Sequence, residues 1–436
     1  WHPDHMRHRY ANWVEGLNGD WLISRQRYFG VPVPVWYPLD ADGETDYDRP
    51  ILPSEDSLPI DPSSDVPPGY SADQRDVPNG FTGDPDVMDT WATSSLSPQI
   101  AARWCEDRDV MSRVFPMDLR PQGHDIIRTW LFSTVVRSHF EHDSLPWTNA
   151  ALSGWILDPD RKKMSKSKGN VVTPLDLFDK FGSDAVRYWA ASARPGVDTA
   201  FSEEQMKVGR KLATKLLNAS KFVLSFGEPP AGAAPSQPLD LAMLARVADT
   251  VDEATAAFHS YDYARALERT ESLFWWFCDD YVELVKGRAY GVQGADGAAS
   301  AQAALRLALS AIQRLLAPFI PFATEEVWRW WQSGSVHRAS WPSRTEIGAV
   351  GDASSIDAIG EVLAQIRRSK TEAKVSQKTA VAEATVTATD EQLAAVRTAQ
   401  QDLSDAGSVR SWTFNVDASA TAPVVSTTLA DDEPSA

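Results

Sequence analysis

Apolar residues at helical spacing dominate the sequence from about residue 203 to residue 331. One stripe within 301–316 is formed by Leu305, Ala308, Leu309, Ile312, Leu315 and Leu316, and Pro318 follows it. A second stripe within 263–287 is formed by Leu267, Thr270, Phe274, Phe277, Cys278, Tyr281 and Val285. With further helical patterns at 207–226, 239–258 and 322–331, this spacing predicts an α-helical bundle.

A different pattern precedes the helices. Short strands are predicted at 114–119 and 151–157. Between them the segment 121–124 (Pro-Gln-Gly-His) is a turn, and a helix is expected from Asp125 to about His139. Strand, turn, helix and strand in this order predict parallel βαβ winding and therefore an α/β fold class.

These patterns divide the chain into three parts. Residues 1–200 form the α/β part and include an acidic insertion at about 38–84, which is rich in Pro, Asp, Ser and Gly. The helical bundle takes residues 201–345. Residues 346–436 form a small α/β module of helix, strand, helix and strand, followed by a disordered polar tail from residue 417.

Charge and cysteine content limit the functions that the chain can have. The net charge of −18 argues against simple charge-driven adhesion to nucleic acid, although basic clusters remain at 161–168, 207–221 and 367–378. Cys105 and Cys278 cannot build a cysteine-rich zinc site, so no metal site and no zinc are expected. Apolar runs are far too short to span a bilayer, and a cytoplasmic location is the default expectation.

The sharpest motif is a basic loop, Lys163-Met164-Ser165-Lys166-Ser167, followed by Lys168-Gly169-Asn170. Its lysines and small hydroxyl residues predict a mobile loop that can close over a triphosphate. There the cations neutralise charge that develops on the α-phosphate and the leaving pyrophosphate. Lys163 and Lys166 are the candidate catalytic residues, and 164–167 are candidate ATP-binding residues. The alternative is a solvated basic loop.

The turn before the predicted helix carries a second candidate site. Gly123 lets the backbone approach a nucleotide closely, and the helix that follows directs its N-terminal dipole at the same place. Asp125 is a candidate acceptor for ribose hydroxyls, and His124 is a candidate contact to ATP. The alternative is an ordinary strand-to-helix cap.

The lysine motif resembles the signature loop of the class I aminoacyl-tRNA synthetases, and its surroundings look like the valyl branch, which is related to the isoleucyl and leucyl enzymes. Segments 21–30 (WLISRQRYFG), 86–95 (DVMDTWATSS) and 119–130 (LRPQGHDIIRTW) agree with that branch. The isoleucyl form would place Asp-Val-Trp-Phe-Asp-Ser-Gly in the second segment. The resemblance covers residues 1–345 well, including segments 218–222 and 317–328 in the bundle, and the rest of the chain weakly.

The resemblance implies a fold, an activity and a set of ligands. The fold would be the C-terminal half of a class I Rossmann-type nucleotide-binding domain, then an anticodon-binding bundle and the small α/β module. The activity would be activation of L-valine by ATP with Mg²⁺ and transfer to tRNA(Val). Trp91, Ile126 and Trp130 would enclose the valine side chain, although packing in an ordinary core is the alternative. Ile126 and Trp130, four residues apart, would share one helix face.

The chain also departs from the family pattern. The other signature, His-Ile-Gly-His, is absent, and so is an editing domain. We therefore expect a fragment that carries half an active site and is inactive alone. A monomeric state is also expected. A catalytically silent tRNA-binding paralogue is the alternative, and an isoleucyl enzyme is a weaker one.

Basic and aromatic residues after the lysine loop are candidates for RNA contacts. In the bundle these are Arg246, Arg265, Arg269, Trp275 and Trp276. In the C-terminal module they are Arg367, Arg368, Lys370, Lys374 and Lys378. Bundle core or a solvated helix face is the alternative for each group.

Overall fold

The computed structural model describes residues 1–348 and 351–430, and at Lys166 the backbone only. The chain divides into two compact units. The first contains Trp1–Trp155 and Pro195–Val197, and the second contains Ile156–Arg194 and the chain from Asp198 onward. Residues 156–194 thus group with the second unit, and the domain limit that we expected at residue 200 stays a prediction.

The first unit mixes helices and short strands. Its elements in chain order are α1 (Met6–Glu15), β1 (Ser24–Arg25), β2 (Trp36–Pro38), β3 (Phe81–Gly83), β4 (Val87–Met88), α2 (Thr90–Ser94), α3 (Ser97–Ala101), α4 (Arg108–Val114), β5 (Met117–Gly123), α5 (Phe132–His142) and β6 (Trp147–Ser153). Strands β5 and β6 pair in parallel, with Met117 opposite Trp147 and Gly123 opposite Ser153. The helical segment between them makes this a βαβ unit, as predicted.

Both strands of this unit are shifted from their predicted positions. Val114, where a strand was expected to begin, is instead the last residue of α4. The start of that helix is capped by the Asp107 carboxylate, which accepts from the backbone N–H groups of Asp109 and Val110. Strand β6 ends at Ser153, and the residues after it form a separate strand in the second unit. Strand β5 therefore ends at Gly123, and the segment that connects it to α5 begins at His124.

The connection after β5 is not the regular α-helix expected from Asp125. His124–Ile126 is a 3-10 turn without a side-chain cap, and Ile127–Leu131 is a π-helical turn that leads into α5. Two carbonyl groups in this wide turn accept hydrogen bonds from hydroxyls one turn later. Ser133 donates to Thr129 over 2.7 Å, and Thr134 donates to Trp130 over 2.6 Å. These bonds satisfy backbone acceptors where the ordinary helix ladder is interrupted.

The acidic insertion folds around a small core. Trp36 and Phe81 on the paired strands β2 and β3 are almost completely buried. The Trp36 indole N–H donates to the Asp65 carbonyl over 3.1 Å, and Arg75 donates to the Pro62 carbonyl over 2.8 Å. The insertion is thus held by side chains that satisfy the carbonyls of its own loops.

The second unit begins with a short parallel pair and continues as a bundle. Its elements are β7 (Ile156–Leu157), α6 (Leu175–Phe181), α7 (Ser183–Ala191), β8 (Thr199–Ala200), α8 (Glu203–Leu224), α9 (Pro238–His259), α10 (Tyr263–Trp276), α11 (Val282–Ala289), α12 (Ala295–Leu316), α13 (Pro321–Trp328), α14 (Arg344–Ile347), α15 (Ser355–Glu372), β9 (Val381–Ala388), α16 (Asp390–Thr398), α17 (Gln400–Gly407), β10 (Trp412–Val416) and β11 (Val424–Leu429). Within the described ranges, no helix has the length and apolar character needed to cross a membrane.

Both predicted apolar stripes lie in the bundle core. Every residue of the two stripes is buried, and they share one hydrophobic cluster with the C-terminal module. The helix expected over 263–287 is interrupted by a π-helical turn at Phe277–Tyr281, which joins α10 to α11. The predicted helical bundle is therefore confirmed.

The C-terminal module is a three-stranded sheet with helices. Strand β9 lies in the centre, parallel to β10 and antiparallel to β11. The expectation of a disordered tail from residue 417 is wrong for Val424–Leu429, because this segment pairs with β9 along its length. Residues 431–436, also part of that expected tail, lie outside the described residues.

A buried charge network joins the bundle to the module. Arg288 on α11, with 2% of its surface exposed, donates two bonds of 2.7 Å to the Asp240 carboxylate on α9. Its Nε also donates to Asp402 on α17 over 2.9 Å. Tyr281 and Ser300 donate their hydroxyls to the same Asp240 carboxylate. The bundle and the module are therefore tied by hydrogen-bonded charges that solvent does not reach.

Candidate active site and RNA-binding residues

The turn at the end of β5 requires glycine for space. Gly123 has an ordinary extended backbone, with φ of −73° and ψ of 148°. A Cβ atom built at this position would lie 2.7 Å from Oδ1 of Asp125. The exposed Asp125 carboxylate can therefore fold back over the turn only because residue 123 has no side chain. This places an acceptor at the carboxyl end of a parallel strand, where open α/β sheets bind their ligands.

His124, a candidate ATP contact, lies mostly in the interior. Its side chain is 7% exposed, and its ring centroid lies 4.9 Å from that of Trp155. Arg9 donates from Nη1 to its Nδ1 over 2.9 Å. An imidazole that accepts at Nδ1 carries its proton at Nε2 when neutral. The expected role of His124 at ATP stays a prediction.

The candidate pocket residues Trp91 and Trp130 lie on neighbouring segments. The Trp130 indole N–H donates to the Ser94 carbonyl at the end of α2 over 2.9 Å. The Ser133 hydroxyl, which donates to Thr129, also lies 3.2 Å from the Trp91 carbonyl in the same helix. The helix that carries Trp91 is thus fixed beside the turn that carries Trp130, and both indoles are half-buried.

Ile126 and Trp130 do not lie on one regular α-helix, because Ile126 ends the 3-10 turn and Trp130 lies within the π-helical turn. Both are half-buried, whereas Ile127 and Leu131 are 1% exposed and pack in the core of the first unit. Ile127 and Leu131 therefore lie in the core, whereas Ile126 and Trp130 remain partly accessible at the surface. Half-burial is what a substrate wall needs, since its outer face must remain accessible.

The lysine loop belongs to the second unit and is closed at its base. The side-chain amide of Asn170 donates to the Asp158 carboxylate over 2.8 Å and to the Lys163 carbonyl over 3.3 Å. Its oxygen accepts from the Ser165 backbone N–H over 3.0 Å. Lys163 also bridges back to Leu157 on β7. One asparagine therefore connects both ends of the loop.

The far part of the loop is a tight turn. Lys166–Lys168 is one 3-10 turn, and Gly169 after it has a φ of 66°, a conformation that favours glycine. Lys163 and Ser167 are exposed, while Met164 and Ser165 are half-buried. The side chain of Lys166, the second candidate catalytic lysine, lies outside the described part of the structure.

Asp158 keeps its negative charge beneath the loop. It is 7% exposed, and its carboxylate accepts from the Lys162 backbone N–H over 2.7 Å. That bond, followed by the bond from Asn170, lowers the pKa of Asp158 below the ordinary value for aspartate. The charged form is therefore the one that holds the loop.

Two family descriptions match the chain. "tRNA synthetases class I (I, L, M and V)" matches residues 1–202, and "Anticodon-binding domain of tRNA ligase" matches residues 240–386. The Valine--tRNA ligase of Thermobifida fusca is 63% identical over 95% of this chain and 47% of that protein. The chain belongs to the class I aminoacyl-tRNA synthetase family. The Valine--tRNA ligase of Salinispora tropica is 59% identical over 94% of this synthetase chain and 50% of its own length.

This synthetase chain spans about half the length of the curated relatives that it matches. Two solved structures share its fold at 21% sequence identity. The LeuRS–tRNA–LeuAMS complex of Agrobacterium radiobacter K84 has a TM-score of 0.57 over 78% of this chain and 45% of its own. Methionyl-tRNA synthetase of Mycobacterium tuberculosis with methionyl-adenylate has a TM-score of 0.52 over 74% and 57%. The expected class I fold with an anticodon-binding domain is thereby confirmed.

Asp158 and Asn170 are positions in the synthetase loop that sequence reasoning missed. Asn170 was part of the motif, but nothing in its spacing shows that it contacts both ends of the loop. Asp158 ends a short apolar run and looks like a turn residue. The one available signal was an acid before a basic loop with an amide after it, and this pattern is common in ordinary turns.

Lys370 does not belong to the expected RNA-contacting set of the synthetase. It is 1% exposed, and its ammonium group donates to the carbonyls of Gly407 and Gln377 over 2.7 Å and 2.9 Å. Burial lowers its pKa. It closes the end of α17, so the expectation that it contacts phosphate is wrong, whereas Arg368, Lys374 and Lys378 are exposed.

The bundle arginines that we expected to contact the anticodon differ in how far other side chains already engage them. The Arg246 guanidinium lies 4.5 Å from the Trp276 ring centroid and pairs with Asp357. Arg269 pairs with Glu253 over 3.3 Å. Arg265 is exposed. An anticodon base would therefore have to displace an existing partner of Arg246, and its role stays a prediction.

Among the described residues, no group of three or more His, Cys, Asp or Glu side chains could hold a metal ion. Cys105 is exposed in the first unit, and Cys278 is buried in the second. Burial raises the pKa of the Cys278 thiol to about 12, so it is a protonated core residue at neutral pH.

Proposed function

We propose that this chain is the part of a valine–tRNA ligase that carries the lysine signature loop and the anticodon-binding bundle. The observation that carries the proposal is the geometry of that loop. Its basic turn is held at the base by Asp158 and Asn170 and leaves Lys163 and Ser167 exposed. The identity to valine–tRNA ligases supports valine as the amino acid.

The first step forms valyl-adenylate. The valine carboxylate oxygen attacks the α-phosphorus of MgATP, and the bond to the bridging oxygen breaks, so pyrophosphate leaves with its electron pair. Lys166, supported by Lys163, neutralises the charge that grows on the phosphates. Asp125 accepts from the ribose hydroxyls and fixes the nucleotide, so positioning and electrostatics carry the chemistry. Magnesium enters with the nucleotide substrate.

The second step transfers the amino acid. A terminal ribose hydroxyl of tRNA(Val) attacks the carbonyl carbon of the mixed anhydride, and AMP leaves. Trp91, Ile126 and Trp130 enclose the isopropyl group during both steps. A wall of this kind rejects isoleucine by size but discriminates poorly against threonine, which is isosteric with valine. The helical bundle binds the anticodon arm.

A pyrophosphate exchange assay tests this proposal in the gene product that contains this chain. We expect valine-dependent exchange of pyrophosphate into ATP, lowered about 100-fold or more by Lys166→Ala. Lys162→Ala is the matched control, because Lys162 lies in the same loop and its ammonium group pairs with the exposed Asp160 carboxylate at 3.9 Å. That variant keeps exchange within about twofold.

Other outcomes identify the alternatives. Exchange that depends on isoleucine contradicts the valine assignment. Binding of tRNA without exchange for any amino acid favours the silent paralogue. The domain limits 1–200, 201–345 and 346–436, a monomeric state and a cytoplasmic location stay predictions.

A further inference from the structure

Arg120 is a buried cation that faces aromatic rings. It lies on β5, three residues before Gly123, and 8% of its surface is exposed. Its guanidinium carbon is 3.2 Å from the Trp130 ring centroid and 5.1 Å from that of Trp147. These distances are well within the range of a cation–π interaction.

No carboxylate compensates this charge within the described part of the chain. Burial alone lowers the pKa of Arg120 to about 10, with no charged neighbour as a cause. Its Nε reaches the Gln122 side-chain oxygen at 3.4 Å, and its Nη2 has no hydrogen-bond partner among the described residues. Because a buried unpaired cation is costly, the stacking on Trp130 is the main interaction that compensates it.

Trp130 is consequently held at its edge and at its face. Its indole N–H donates to Ser94 on α2, and the Arg120 guanidinium covers one face of the ring. We propose that Arg120 is a positioning residue that fixes the Trp130 ring and thereby sets the size of side chain that the amino-acid pocket accepts. This inference rests on the proposed function, in which Trp130 lines the valine pocket.

Loss of the guanidinium would let the indole tilt about its N–H, which the Ser94 carbonyl and, more weakly, the Ser97 hydroxyl hold. The wall would then retreat, weaken binding of valine and admit an additional methylene. In Arg120→Met we expect the KM for valine to rise about 10-fold, because a desolvated cation–π contact contributes on that scale. The ratio of isoleucine to valine kcat/KM rises by a similar factor, while the KM for ATP is unchanged.

The experiment uses the gene product that contains this chain and measures exchange with both amino acids. Arg120→Lys keeps the charge without the planar stack and is expected to lie between Arg120→Met and the wild type. Arg113→Met is the matched control, since Arg113 is exposed on α4 and pairs with Asp109 over 2.8 Å. That control leaves all three parameters unchanged. A loss of kcat for both amino acids with an unchanged ratio would overturn the inference, because general destabilisation acts that way.

A second readout separates this inference from the proposed function. Trp130 is labelled with 5-fluorotryptophan, and its ¹⁹F resonance is assigned by its loss in Trp130→Phe. Arg120→Met and Arg120→Lys should each shift that resonance, whereas Arg113→Met should not. An unchanged resonance overturns the role of Arg120 even when exchange is active. Absence of valine exchange in the wild type contradicts the proposed function, and a shifted resonance then still supports Arg120 as the group that orients Trp130.

Discussion

The side-chain amide of Asn170 donates a hydrogen bond to the Asp158 carboxylate over 2.8 Å and so joins the two ends of the lysine loop. The same side chain contacts the backbone at Lys163 and Ser165. The loop is therefore fixed at its base, and between the fixed positions lies the turn Lys166–Lys168, which is where we propose that a triphosphate is contacted.

Removal of this connection should lower the rate of adenylate formation. In Asn170→Ala the loop loses its shared base, and the backbone at Lys163 and Ser165 is no longer held. We expect kcat for valine-dependent exchange to fall at least about 10-fold, since misplacement by about 1 Å costs up to about 100-fold. Asn415→Ala, at an exposed position on β10, is the control. Equal activity of the two variants would refute a positioning role for Asn170.

The stability of the lysine loop should depend on pH through the ionisation of Asp158. Because its pKa is lowered in the folded chain, the carboxylate contributes stability above the unfolded value of about 3.9. That contribution is lost as the pH falls through the lower, folded pKa. A ¹³C NMR titration of the Asp158 carboxyl should therefore give a midpoint below 3.8. In Asp158→Asn the Lys162 amide should exchange faster with solvent at neutral pH. A midpoint above the ordinary range would show that burial dominates instead.

Gly123→Ala should affect nucleotide binding more than stability. The added Cβ would meet Oδ1 of Asp125, which is the end of a flexible side chain and can move. We expect a change in the free energy of unfolding of less than about 1 kcal/mol. The KM for ATP should rise about 10-fold, the scale of one hydrogen bond to a charged group.

Gly19→Ala provides the control for this substitution. No atom lies within 4 Å of the Cβ that it would add, and its backbone is not left-handed. Both the KM and the stability should stay at the wild-type values. A normal KM for ATP in Gly123→Ala would exclude Asp125 as a ribose contact.

The buried network in the second unit should dominate its stability. Arg288→Met leaves the Asp240 and Asp402 carboxylates buried without their cation, which costs about 3–5 kcal/mol. Arg329→Met removes the exposed partner of the half-buried Glu325, which keeps its bonds from Ser335 and Val336, and should cost less than about 1 kcal/mol. Urea unfolding followed by far-UV circular dichroism measures both. Similar losses in the two variants would mean that the network is not worth more than a surface pair.

The parts of the fold that sequence predicts well depend on local periodicity. The stripe that contains Leu305 and Ile312 is buried as expected, because a helix places residues three and four apart on one face whatever surrounds it. The βαβ winding was predictable for a related reason, since strand, turn and helix signals follow one another in the chain. The signature loop was found because its composition is rare.

The remaining features depend on partners that are distant in sequence. Lys370 was expected at the surface because it lies in a basic run, but Gly407, far along the chain, supplies the carbonyl that buries its ammonium group. The π-helical turn before α5 changes the helical spacing locally, which the periodicity of apolar residues does not report. Arg120 was also overlooked, because nothing in its sequence neighbourhood distinguishes a stacked guanidinium from a solvated one.

The network around Arg288 also bears on how this region can change in evolution. One cation serves carboxylates from the bundle and from the C-terminal module, so an exchange of either residue alone leaves a buried charge behind. Recombination that brings together a bundle from one lineage and a module from another succeeds only when both carry the same arrangement. Asp240, Arg288 and Asp402 should therefore be inherited as one set.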